Sequence, residues 1–152
     1  MDKDLTFMKM AIAIARESAV RGEVPVGAIV VKDGEIVGSS SNMRETNLDA
    51  TAHAEIEAIR EACRKLGRWR LSDCDLYVTL EPCPMCAGAI LNAKIGRVIF
   101  GAKDPRGGAF GSLVELRAYP FYHKPKVDYG IFADECRDLL SEFFKDKRKK
   151  GT

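Results

Sequence analysis

Four side chains in two short segments have the types and spacing of a metal-centred catalytic site. His53 and Glu55 are separated by one residue, and Cys83 and Cys86 by two. Imidazole and thiolate groups are ligands that zinc prefers in proteins. A structural zinc site is normally closed by four protein ligands, whereas three ligands and one open position are typical of a catalytic site. The sequence therefore predicts one catalytic Zn²⁺ per chain, held by His53, Cys83 and Cys86.

Glu55 is predicted to carry protons rather than to bind the metal. Two residues apart on a helix correspond to about 200° of rotation, so His53 and Glu55 are not expected to ligate one ion together. A glutamate beside the metal can take a proton from an attacking water and pass it to a leaving amine. The pattern H-x-E followed by P-C-x-x-C is typical of zinc-dependent nucleobase deaminases.

A Cys-x-x-Cys pair alone is also typical of a redox pair or of half a structural zinc site. The complete set of four residues, placed at two helix starts, favours the catalytic interpretation. The chain has five cysteines, and this odd count without a secretion signal argues against a disulfide framework. We expect the others to pack as small apolar residues: Cys63, Cys74 and Cys136. His123 could serve as a fourth ligand, although a loop or surface position is expected.

Composition indicates an ordinary globular protein, with 46% hydrophobic and 30% charged residues among 152. This length predicts a single domain over residues 1–152. No apolar run approaches the roughly 20 residues of a membrane span, and the N-terminus lacks the features of a signal peptide, so a cytoplasmic location is expected. The net charge of +2 neither demands nor excludes a nucleic-acid partner.

Apolar periodicity and turn residues predict the elements that position these groups. Helices are predicted over 5–19, 52–66, 82–93, 112–118 and 132–144. Strands are predicted over 26–31, 36–39, 76–80, 98–101 and 127–131, with a polar loop over 40–51. The Asp33-Gly34 pair predicts a hairpin between the first two strands, and the long last connection allows a helical crossover and a parallel pairing. The alternation predicts an α/β fold with three layers, helix–sheet–helix, around a mixed five-stranded sheet.

Beyond the metal motif, the chain resembles the bacterial tRNA-specific adenosine deaminases over roughly Leu5 to Lys150. The matching blocks are Gly22–Ala28, Asn42, Thr51–Glu55, Trp69–Leu71, Leu76–Ala89, Gly96–Val98, Phe100–Ala102, Asp104, Gly111–Ser112, Ala133–Cys136 and Leu139–Phe144. The metal motif is shared with cytidine and guanine deaminases, and the flanking blocks favour the tRNA branch.

This resemblance implies a cytidine-deaminase-like fold and hydrolytic deamination of the wobble adenosine in a tRNA anticodon loop to inosine, by attack at C6. It implies a homodimer that holds the anticodon stem-loop. It also implies that Asn42 hydrogen-bonds the target base, that Asp104 contacts the adjoining ribose-phosphate chain, and that His123 lies on the substrate side. The family commonly has Asn before that histidine, where this chain has Tyr122. Plain turn roles are the alternatives for Asn42 and Asp104.

Three functional hypotheses follow from the sequence. The first is the tRNA wobble-adenosine deaminase. The second is a deaminase of a free base or nucleoside, of guanine or cytidine type. The third is a zinc-stabilised RNA-binding or scaffold subunit without catalysis, against which Glu55 argues. The cationic end of the chain, residues 145–150, could contact phosphates or be solvated. Phe143 and Phe144 are expected in the core, or else stacked on a base.

Overall fold

The computed structural model describes residues 2–149 of the chain. Its strands are β1 (Gly27–Lys32), β2 (Glu35–Ser41), β3 (Asp75–Leu80), β4 (Arg97–Ala102) and β5 (Lys126–Tyr129). Its helices are α1 (Asp2–Val20), α2 (Arg44–Asn47), α3 (Ala54–Leu66), α4 (Pro84–Ala93) and α5 (Ala133–Lys149), with a 3₁₀ turn at Leu116–Ala118.

The strands form one mixed sheet in the order β2-β1-β3-β4-β5. β1 is antiparallel to β2 and β3, while β3, β4 and β5 are parallel. The hairpin between β1 and β2 turns at Asp33 and Gly34, whose φ angles of 50° and 79° are those of a two-residue turn matched to the twist of the strands. The predicted hairpin, the mixed sheet and the parallel last pair are confirmed.

Two apolar cores lie on opposite faces of the sheet. Ile29 and Val31 of β1 are buried against α1, whereas Ala28 and Val30 belong to the core formed with α3 and α4. This alternation follows from the two-residue period of a strand. Each fully buried aliphatic side chain contributes about 1.5–3 kcal/mol. α5 joins α1 on its face through Cys136, so the predicted helix–sheet–helix arrangement is confirmed.

Close packing of α3 on the sheet depends on Gly38 in β2. A Cβ atom at this position would overlap the backbone carbonyl of Ala58 in α3. The absence of a side chain lets the helix lie directly on the strand.

The structure corrects several predicted elements. The helix expected over 112–118 is wrong, since only the 3₁₀ turn Leu116–Ala118 forms there. An isolated bridge between Phe110 and Glu115 bends this segment back on itself, which is incompatible with a continuous helix. The polar segment 40–51 is also not all loop, because β2 continues to Ser41 and α2 follows.

The C-terminal cations are part of α5 and not a separate tail. Lys145, Lys147, Arg148 and Lys149 lie in its last turns, and Lys150 is outside the described residues. Their position at a helix C-terminus is favourable for the helix dipole. The expectation that Phe144 is in the core is wrong, because its side chain is 43% exposed. None of the helices within residues 2–149 combines the length and apolar character needed to cross a membrane.

Candidate active site

The predicted chemical groups lie at the starts of two helices on the same face of the sheet. His53 is the N-cap residue of α3 and Cys83 is the N-cap residue of α4. The helices were expected to start at 52 and 82, and both start two residues later. Pro84 occupies the first turn of α4, where its fixed φ angle favours helix initiation and its missing N–H costs nothing. Neither N-cap side chain forms a capping hydrogen bond with its own helix.

The structure brings His53, Cys83 and Cys86 together, although α3 and α4 are separated by β3 in the chain. The Nδ1 atom of His53 lies 3.5 Å from the sulfur of Cys83 and 3.3 Å from that of Cys86. The three donor atoms all lie within 4.8 Å of one another. Tetrahedral ligands placed about 2.0–2.3 Å from one ion are separated by similar distances. Both the spacing and the donor types therefore fit a single metal ion.

Glu55 lies in the first turn of α3 with only 4% of its surface exposed. Burial raises the pKa of its carboxyl group to about 7, since the charged form loses its hydration. A carboxyl group with a pKa near neutrality can both accept and donate a proton at physiological pH. This is the property that the sequence-based role of Glu55 requires.

The two thiols are electrostatically unequal. A hydrogen bond from Cys86 lowers the pKa of the Cys83 thiol to about 4, with a further contribution from His53. The same contact and burial raise the pKa of Cys86. One thiolate is therefore available at neutral pH before any metal binds. A divalent cation would favour loss of the second proton, because metal binding and thiol ionisation are coupled.

A cavity of about 610 Å³ opens over these groups. The residues that line it include His53, Glu55 and Cys83, together with Asn42 and Asp104. The volume is in the range typical of small-molecule sites. Two of the three residues expected to contact substrate are thus in the same cavity as the predicted metal ligands.

Asn42 is 7% exposed and follows the end of β2. Its Oδ1 atom accepts a hydrogen bond of 3.1 Å from the backbone N–H of Arg44, which fixes the plane of the amide. The amide NH₂ is then the group that Asn42 can offer to an acceptor on a purine edge. Asp104 instead accepts from the backbone N–H of Arg106 at 3.2 Å, in a turn that contains Pro105.

His123 is not among the residues that line the cavity. Its Nε2 atom lies 2.6 Å from the backbone carbonyl oxygen of Ile95, and the neighbouring Tyr122 is fully exposed. The described chain therefore does not bring His123 together with Asn42 and Asp104. It is also not part of the group of potential metal ligands.

Residues of α5 also reach the cavity, which is compatible with the alternatives that Phe144 stacks on a base and that the cationic end of the chain contacts phosphates. Phe144 lines the cavity, together with a set of cations that come from different parts of the chain: Arg44, Lys103, Arg137 and Arg148. The 3.6-residue period of apolar residues indicated that one face of α5 is buried. It could not indicate which residues of α5 line the cavity.

Two buried carboxylates near the site were also missed. Glu23 is 1% exposed and Glu81 is 3% exposed. Glu23 accepts hydrogen bonds from the backbone N–H groups of Glu45 and Thr46 at the start of α2. For Glu81 the available signal was its position directly after a buried strand, because a charged residue there needs hydrogen-bond partners.

Comparison with known sequences leads to one class of protein. Residues 1–148 match the MafB19-like deaminase family. The tRNA-specific adenosine deaminase of Bacillus subtilis (strain 168) is 48% identical over 151 residues, which cover 99% of this chain and 94% of that protein. The tRNA-specific adenosine deaminase of Agrobacterium fabrum is 48% identical over 143 residues, covering 93% of this chain and 94% of that protein.

Solved structures give a consistent result. A structure from a study of A-to-I editing by tRNA:A34 deaminases at the wobble position of transfer RNA has a TM-score of 0.87 and 47% identity, covering 89% of this chain and 99% of that one. A guanine deaminase from Bacillus subtilis has a TM-score of 0.63 and 47% identity, covering 64% of this chain and 63% of that one. The similar sequences and the similar structures described here are therefore all deaminases.

Proposed function

Since this chain belongs to the family of tRNA-specific adenosine deaminases, we propose that it hydrolyses the wobble adenosine of a tRNA anticodon loop to inosine. The observation that carries the proposal is that three potential metal ligands group together beside a cavity, and that two of them, the buried Glu55 and several cations line this cavity. The proposed reaction consumes one water and releases ammonia.

We propose that the metal is Zn²⁺ and that His53, Cys83 and Cys86 hold it. Mixed imidazole and thiolate ligation favours zinc over harder cations such as Mg²⁺. When bound, zinc lowers the pKa of a water molecule towards neutrality and so supplies the nucleophile. Placing two thiol side chains at the start of α4 supports this assignment, because the helix dipole stabilises negative charge there.

Glu55 is the proposed proton carrier. As the oxygen of water bonds to C6 of adenine, the Glu55 carboxylate takes the proton that this water loses. It then gives a proton to the exocyclic amine, the C6–N bond breaks, and ammonia leaves. Burial raises the pKa of the Glu55 carboxyl group, which favours the protonated form that the second step needs. Asn42 would orient the base from the side of the cavity, and Asp104 would contact the adjoining sugar-phosphate chain.

The positive charge of the cavity lining favours RNA over a free base. Arg44, Lys103 and Arg148 contribute positive groups to the lining, whereas a neutral nucleobase offers no phosphate for them to bind. Nucleotides of a single-stranded loop are also the least costly to unstack. Deamination of free guanine is the second candidate, and similarity to the guanine deaminase structure supports it.

Action on tRNA makes the cytoplasm the proposed compartment.

We further propose that the active form is a homodimer. Large apolar side chains are exposed within one short segment: Leu113, Val114, Tyr119, Phe121 and Tyr122. Exposed apolar groups concentrated in this way are typical of protein–protein contacts. Sedimentation of the purified protein should give twice the chain mass of 16.8 kDa; a single-chain mass would contradict the dimer alone.

The proposed function is tested by deamination of an anticodon stem-loop RNA that carries a wobble adenosine. Free adenine, guanine and cytidine are assayed beside it, and inosine is scored as guanosine after reverse transcription. Conversion of the RNA alone is the expected result. Conversion of free guanine without conversion of the RNA would overturn the proposal in favour of the second candidate. The same RNA incubated without the protein controls for background.

A further inference from the structure

Glu81 directly follows β3 and precedes the metal-ligand segment, residues 82–86, which contains Cys83 and Cys86. Its side chain is buried. Glu81 lines the cavity, but its carboxylate is not part of the group formed by the donor atoms of His53, Cys83 and Cys86. Its hydrogen bonds run to a separate loop, residues 103–112, that follows β4. This loop contributes Lys103, Asp104 and Pro105 to the cavity lining.

Four donors from the 103–112 loop converge on the two oxygens of Glu81. The backbone N–H groups of Asp104 and Phe110 donate to it at 3.0 Å each, and that of Ser112 at 3.2 Å. The Ser112 hydroxyl donates as well. A carboxylate has acceptor sites for all four, whereas a glutamine amide would direct its own N–H groups at donors. The loop is therefore organised around the two acceptor oxygens of the Glu81 carboxyl group.

Gly108 shows that the loop is fitted to this carboxylate. A Cβ atom at residue 108 would overlap the carboxyl group of Glu81. The loop also contacts the metal-ligand segment, since the Ala109 N–H donates to the carbonyl oxygen of Pro82 at 2.8 Å. Hydrogen bonds to a buried charged group are among the stronger ones in proteins. The hydrogen bonds to Glu81 therefore anchor the 103–112 loop.

We propose that Glu81 is a positioning residue, whose carboxylate holds the 103–112 loop so that Lys103, Asp104 and Pro105 form a rigid wall for the substrate. This inference rests on the proposed function, because the substrate that meets the wall is the RNA beside the target adenosine. Glu81 itself does not contact the reacting atoms. Loss of the anchor leaves the chemistry intact and weakens the binding of substrate in its ground state and transition state alike.

The test compares steady-state kinetics on the anticodon stem-loop RNA for Glu81→Gln, Gly108→Ala and Ser112→Ala. The first removes the charge, the second displaces the carboxylate, and the third removes one donor. We expect KM to rise by about fivefold or more for E81Q and G108A and by about twofold for S112A, with kcat within about threefold and the metal retained. Exchange of a nucleotide beside the target should alter kcat/KM less in E81Q than in the unaltered protein.

Asp4→Asn is the matched control. Asp4 also accepts three side-chain hydrogen bonds, from Tyr77 and Arg97, but lies near the amino ends of β3 and β4, away from the cavity. It should lower stability without changing KM. If KM rises in D4N as it does in E81Q, the effect of E81Q is due to general destabilisation, and the inference is overturned.

The remaining outcomes separate the two proposals. An unchanged KM in E81Q and G108A overturns the positioning role while the proposed function stands. Loss of metal with a parallel fall in kcat would make Glu81 a support of the metal site and also overturns it. Should E81Q fail to fold, G108A and S112A decide alone. No turnover of the RNA by the unaltered protein overturns the proposed function, and the inference with it.

Discussion

The sulfur of Cys86 lies 3.3 Å from the Nδ1 atom of His53, across the gap between α3 and α4. This contact joins two helix starts that are separated in the chain by a complete helix and a strand. Because Cys86 is buried while His53 lines the cavity, the pair connects the core to the space in which a substrate would bind. The geometry of the site therefore depends on how α3 and α4 pack on the sheet.

Replacing either proposed thiolate ligand should remove the metal. Cys83→Ala and Cys86→Ala are expected to reduce bound zinc from one equivalent to well below half, because two ligands do not form a stable site. Loss of the ion should also lower the melting temperature, since binding energy contributes to folding. Elemental analysis and thermal unfolding measure both effects. Cys63→Ala, outside the group, should retain the metal; full occupancy in C83A or C86A would refute the ligand assignment.

Glu55→Ala should keep the metal and lose turnover. General acid–base groups contribute about 10²- to 10⁴-fold, so we expect kcat to fall by at least about 100-fold. The readout is inosine formation from the stem-loop RNA at saturating concentration, beside elemental analysis. Glu57→Ala is the matched control, because Glu57 lies in the same helical turn, pairs with Arg60 and does not line the cavity. Near-normal turnover in E55A would exclude the proposed proton transfer and favour a scaffold role.

Asn42→Asp should separate the two functions of the amide. Aspartate keeps the oxygen that accepts from the Arg44 N–H but lacks the NH₂ group offered to the base. We expect kcat/KM to fall about 10- to 100-fold, the range for one lost base contact. Asn47→Asp makes the same charge change at an exposed position of α2 and should have little effect. If both variants lose activity equally, the amide does not recognise the base and the effect is one of charge.

Asp4→Asn should destabilise the fold in a pH-dependent way. The hydrogen bond from Arg97 holds the pKa of Asp4 below its ordinary value of 3.8, against the opposing effect of burial. A carboxyl group with a depressed pKa in the folded state contributes stability above its unfolded pKa and loses it as the pH falls through the folded value. At neutral pH we expect a loss of about 1.5–3 kcal/mol, which disappears in acid.

Urea unfolding of D4N at neutral and acidic pH measures this difference. Asp73→Asn is the control, because Asp73 pairs with Arg68 at the surface with 47% of its side chain exposed. Such a pair is worth less than about 1 kcal/mol. A D4N deficit that does not shrink in acid would mean that packing, and not ionisation, accounts for the loss.

The chain by itself determined the elements with strong local signals. The hairpin follows from Asp33-Gly34, the strands from short apolar runs, and the parallel pairing of β4 and β5 from the length of the connection between them. The identity of the chemical groups was equally local, because a His-x-Glu and a Cys-x-x-Cys at helix starts have few other uses. Glu55 and the three ligand residues were assigned from type and spacing alone.

Tertiary structure decided what depends on neighbours distant in the chain. The segment around Leu116 has helical periodicity, yet the Phe110–Glu115 bridge and the Glu81 carboxylate offer its backbone other partners, and only a 3₁₀ turn forms. Phe144 and Arg148 reach the cavity because α5 packs against β3 and β4. Glu81 is an ordinary charged residue in the sequence, and its role arises only where four donors from another loop meet it. Burial and long-range hydrogen bonds, which no local pattern encodes, account for each of these differences.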